Sequence, residues 1–142
     1  MNIRHILLAL GASFMLATPA LAQDDGALLP ESVNLTVVEG SSVPTDCQYP
    51  STISDTATFE LACVTMPRFN AGMIGAEYLA ELGRMGWVQG DYVEGGMTAV
   101  RTDESNCERV LNIFPSNFPI EEENSAQTVI WFVLERTPRC AS

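Results

Sequence analysis

The stretch NAGMIGAEYLAELGRMGW, Asn70 to Trp87, decides how this chain folds. Ile74, Tyr78, Leu82 and Met85 recur at spacings of four, four and three, which makes one apolar stripe along a helix. Glu77, Glu81 and Arg84 are expected on the opposite side. Asn70 suits the N-cap position, where a side-chain oxygen accepts from first-turn N–H groups, and Gly86 suits the left-handed residue that closes a helix. The spacing predicts a helix over Ala71–Met85. A helix this short is marginal alone, so it needs a sheet beneath its stripe.

The flanking sequence supplies that sheet. Ser32 to Val38 alternates, with Val33, Leu35 and Val37 on one face, and reads as a strand. Phe59 to Thr65 reads as a second strand, ended by Met66-Pro67. After the helix, Trp87–Val93 and Met97–Thr102 form a hairpin across Glu94-Gly95-Gly96, where glycine accepts positive φ freely. Cys107 to Phe114 follows, stopped by Pro115, and Ser116 to Gln127 is a loop. Thr128 to Arg136 contains an unbroken apolar run, expected of a central strand covered on both faces; a dimer interface is the other arrangement such a run serves. The fold class is therefore α+β: a small two-layer domain with one helix on a mainly antiparallel sheet of about five to six strands, stapled by two disulfides.

Residues 1–22 read as a cleaved secretory signal. Arg4 and His5 precede an apolar run from Ile6 to Leu16, and Ala20 and Ala22 fit the small-x-small cleavage rule. That run is too short to serve as a membrane anchor. Residues 23–31 read as a flexible arm and residues 32–142 as one domain, located in the periplasm or the medium. No cysteine follows the cut, so no lipid anchor is expected there. Asn34-Leu35-Thr36 has the form of a glycosylation acceptor, but the signal looks bacterial, so little weight falls on it.

Four cysteines in an exported chain predict two disulfides. Pairing sequence neighbours gives Cys47–Cys63 and Cys107–Cys140, closing loops of about 17 and 34 residues, each contributing about 3 to 4 kcal/mol in the chain-entropy description. No C-x-x-C motif is present, which argues against a redox or metal role for them.

Charge narrows the chemistry. The chain carries a net charge of −11, which becomes more negative once Arg4 leaves with the signal. Such a surface repels phosphate backbones and anionic headgroups, so neither nucleic acid nor a membrane surface is an expected partner. The chain has no lysine, and its one histidine, His5, lies in the signal. Histidine bases, Ser–His and Cys–His pairs, Schiff-base lysines and histidine-ligated zinc are excluded from the mature protein. The acidic clusters Asp24-Asp25, Asp103-Glu104 with Glu108, and Glu121-Glu122-Glu123 do not have the spacing of a calcium loop, so no metal or cofactor is expected. Arg101 and Arg109 fall on neighbouring strands, and Arg136 and Arg139 close the chain; two that converged would grip an anion, whereas separate ones form surface ion pairs.

What remains is a surface for recognition. Phe114-Pro115-Ser116-Asn117-Phe118-Pro119 sets two aromatics among two prolines, a stiff and partly apolar segment beside Glu121, Glu122 and Glu123. The expected binding residues are Phe114, Phe118, Glu121, Glu122 and Glu123, facing another envelope protein or a basic partner. The expected function is a non-catalytic binding or accessory module. Two alternatives are a small hydrolase or lyase using carboxylates alone, and a structural protein whose acidity adapts it to salt.

Overall fold

The computed structural model describes residues 27–49, 53–116 and 126–141. The signal expected over residues 1–22, Phe118 and the acidic run Glu121–Glu123 lie outside the described residues. Strand β1 (Phe59–Pro67) passes through a 3-10 turn (Arg68–Asn70) into helix α1 (Ala71–Arg84). Strands β2 (Val88–Val93), β3 (Gly96–Thr102), β4 (Cys107–Ser116), β5 (Gln127–Glu135) and β6 (Arg139–Cys140) follow. They form one antiparallel sheet in the order β1-β5-β4-β3-β2, with β6 pairing the start of β4. One helix on an antiparallel sheet, with Cys47–Cys63 and Cys107–Cys140 both joined, is the predicted α+β domain.

β5 lies between β1 and β4, and its run from Ile130 to Leu134 is buried on both faces. Ile130, Phe132 and Leu134 face the helix layer with Leu111, Ile113, Ile74, Tyr78 and Leu82. Trp131 and Val133 point the other way, where Cys63 anchors Cys47 and, with it, Tyr49 and Ile53 over the second face. That alternation explains why the run shows no polar face in the sequence.

The helix ends as its sequence predicts. Gly86 takes φ +83°, the Gly86 N–H donates to the Gly83 carbonyl, and the Trp87 N–H reaches the Leu82 carbonyl. This is the paired Schellman arrangement, with Leu82 and Trp87 both buried against it. Its beginning differs from expectation. Asn70 adopts helical dihedrals at the end of the 3-10 turn and makes no side-chain capping bond. At the β2–β3 hairpin, Glu94 and Gly95 make the turn, and Gly96 belongs to β3. A Cβ on Gly96 would collide with the Ile113 carbonyl oxygen and lie 2.8 Å from Phe114 Cδ1, so this glycine serves close strand approach. Pro115 continues β4 instead of stopping it: β3 pairing has ended at Ile113, so the missing N–H forfeits no ladder bond there.

The largest correction lies before β1. Residues 32–38 are not a strand. Leu29 takes φ +54° and Asn34 φ +59°, and the N–H groups of Ser32, Val33 and Asn34 converge on the Leu29 carbonyl. The chain closes a tight turn across the Leu28–Leu35 bridge and then runs as an irregular strap, residues 28–42, to the Ser42–Thr65 bridge on β1. The domain also starts earlier than residue 32: Leu28 and Leu29 belong to the core, Leu29 at 1% exposure.

Candidate binding groove

Strap, helix and sheet meet through side chains that satisfy the irregular backbone. Glu81 Oε1 accepts from the Thr36 N–H at 3.0 Å and from Thr36 Oγ1 at 2.6 Å. Tyr78 Oη accepts from the Val38 N–H at 3.1 Å and pairs with Ser41 Oγ at 2.9 Å. Glu60 Oε1 accepts from the Glu31 N–H at 2.9 Å. Glu81 is therefore not on an outer face, as helical periodicity alone suggests; it is 9% exposed, turned onto the strap. Buried backbone donors need acceptors, and a strap without ladder partners recruits carboxylates for them.

The other end of the α1–sheet layer is open. The first half of α1 presents Ala71, Gly72, Gly75 and Ala76, and side chains this small leave a groove of about 1440 Å³ beside them. Its floor is Ile113, Ile130 and Phe132, and Met97, Tyr92 and the Glu94–Gly96 hairpin tip form the far wall. Phe114 and Pro115 line it from the end of β4, with Ile53 and Trp131 from the second face. A Cβ on Gly75 would stand 3.9 Å from Ile130 Cδ1, and one on Gly72 would meet nothing within 4 Å. The exposed aromatics nearby are Phe69, 86% exposed in the 3-10 turn, and Tyr92, 78% exposed on edge strand β2.

Charges in the groove are few. Among the described lining residues Arg68 is the cation and Glu94 the carboxylate. They belong to opposite edges of the sheet, four strand spacings or roughly 19 Å apart across its width. Arg68 makes no ion pair among the described residues. The other arginines are mostly engaged: Arg136 with Glu31, Arg139 with Glu135, Arg109 with Ser32 Oγ at 3.3 Å, and Arg101 over the Trp87 ring at 5.4 Å. Arg101 and Arg109 do oppose each other in the β3–β4 register, yet they turn to different partners and form no joint anion clamp. Hydrogen bonds from Thr58 and the Ala57 N–H hold the Asp55 carboxyl below its ordinary value, burial raises the Tyr49 phenol, and Glu135 raises Arg139.

Of the binding residues expected from sequence, Phe114 reaches this groove, while Phe118, Glu121, Glu122 and Glu123 fall outside the described residues. Sequence reasoning missed Ala71, Gly72, Gly75 and Ala76, because a groove made by absent side chains leaves no apolar or charged signal. Small residues on successive turns of one short helix are the trace that it does leave. No group of three or more His, Cys, Asp or Glu among the described residues is placed to hold a metal ion, and no described helix is long and apolar enough to cross a membrane. No family model, curated protein or solved structure matches this chain.

Proposed function

We propose that this protein is a non-catalytic binding module exported to the bacterial envelope, and that the groove at the start of α1 is its binding site for an apolar ligand. The groove itself carries this reading: it is concave, mainly apolar, and edged by a few polar groups, as ligand sites are. Its described lining contains one carboxylate, Glu94, whereas carboxylate-based hydrolysis needs two acting together. Tyr78, the buried phenol on its inner side, already spends its hydroxyl on Val38 and Ser41. Two disulfides support residence in an oxidising compartment, and the signal-like residues 1–22 support export.

The test is uptake of a neutral apolar fluorophore, N-phenyl-1-naphthylamine, by the oxidised protein. Saturable fluorescence enhancement is expected, and Gly75→Leu, which projects a side chain into the groove, is expected to lower the affinity at least tenfold. Ala76→Trp blocks the same space from an exposed position and guards against a folding defect in the first variant. Enhancement that is absent, or unchanged in both variants, would overturn the assignment.

A further inference from the structure

We infer that the ligand of this groove is a long-chain carboxylate, with its apolar chain along the groove and its head on Arg68. This rests on the groove being the binding site, and it adds the chemical class of the occupant. The lining is apolar over most of its extent and runs from Arg68 beside β1 to the Glu94–Gly96 hairpin tip between β2 and β3, across the width of the sheet. An elongated ligand uses such a space better than a compact one.

The polarity of the ligand follows from the charges. Arg68 is exposed at the groove and has no ionic partner among the described residues, and no acidic side chain occupies the first turn of α1 beside it. A guanidinium so placed takes a carboxylate through two parallel hydrogen bonds. Glu94 marks the opposite wall as the wrong end for an anion, which orients the ligand. A single cation in a chain of net charge −11 favours a singly charged head over a dianionic phosphate. The same net charge disfavours an anionic bilayer, so the ligand is a free monomer and not a lipid headgroup in a membrane. The protein's distant carboxylates are screened beyond about 8 Å at physiological ionic strength, which leaves Arg68 to dominate locally.

The experiment is isothermal titration of the oxidised protein with dodecanoate below its micellar concentration, and with 1-dodecanol as its uncharged counterpart. Dodecanoate is expected to bind at least about tenfold tighter, the low end of the range for hydrogen bonds to a charged group, and decanoate roughly tenfold weaker than dodecanoate for its two missing methylenes. Arg68→Gln is expected to bring dodecanoate down to the level of dodecanol without moving dodecanol, and Arg68→Lys to keep part of the preference. Equal affinities in the unmodified protein, or a preference that survives Arg68→Gln, would overturn the carboxylate assignment. In that event, uptake of the neutral fluorophore and its loss in Gly75→Leu still uphold the groove. If neither dodecanoate, dodecanol nor the fluorophore binds, both readings fall together.

Discussion

The two ends of the layer between α1 and the sheet use one helix and one set of strands, yet one is shut and the other open. At the shut end Tyr78, Glu81 and Leu82 meet the strap, which carries Leu28, Leu29, Val33 and Leu35 into the core. At the open end Ala71, Gly72, Gly75 and Ala76 are too small to fill the layer, and a groove lined by them and by Ile113 and Ile130 remains. The difference teaches that closure takes two things together: side chains large enough to fill the layer, and acceptors for the backbone that crosses it. The shut end has both. The open end lacks the first, and apolar surface left open in this way on a small protein marks a contact site more often than a packing defect.

The largest effect that separates the ends should come from removing bulk. Leu82→Ala, at 1% exposure in the shut end, is expected to cost about 2 to 5 kcal/mol in urea unfolding, the sum of lost transfer energy and a cavity. Leu79 sits one turn earlier, half-buried on the groove. Leu79→Ala opens space that is already open, so it should cost less than half as much. Equal costs for the two leucines would erase the distinction between a packed and an unpacked end.

The next effect concerns acceptors. Glu81→Ala removes the charged acceptor shared by the Thr36 N–H and hydroxyl, with an expected cost of about 1 to 3 kcal/mol. Glu77 is exposed one turn away and makes none of these bonds, so Glu77→Ala should stay within about 0.5 kcal/mol of the unmodified protein. Matching values for the two glutamates would show that the strap is held by its leucines alone. Backbone amide exchange at Thr36 would then be fast in both variants and in the unmodified protein alike.

These pairs also show what the sequence makes legible. β5 can be read because an unbroken apolar run needs cover on both faces, the stripe on α1 because its burial follows a regular period, and the disulfides because few pairings of four cysteines suit neighbouring elements. The strap cannot. Val33, Leu35 and Val37 alternate as a strand would, but Leu29 and Asn34 at positive φ fold the chain back on itself, and no local pattern announces a left-handed leucine. Glu81 looks exposed for a related reason: its partner, the Thr36 backbone, is 45 residues away in the chain. Of the expected site, Phe114 proves to border the groove, whereas the groove's own cause, a row of alanines and glycines, resembles ordinary helix filler.

The smallest effect compares one substitution in both regions. Gly72 lies in α1 with helical dihedrals and empty surroundings, so Gly72→Ala adds a methyl group at no steric cost and removes backbone freedom from the unfolded chain. A gain of about 0.5 to 1 kcal/mol is expected. Gly40 lies in the strap at φ +88°, where a Cβ would also stand 3.4 Å from Ile74 Cδ1. Gly40→Ala should therefore lose about 1 kcal/mol or more, because an alanine is strained at that dihedral whatever the room around it. Thermal unfolding of the two variants measures opposite signs if the open end is slack and the strap is constrained. The Gly72 methyl group also narrows the groove slightly. If Gly72→Ala stabilises the protein but weakens fluorophore uptake, then the glycine is kept at the expense of stability, which is the pattern expected of a position that serves binding.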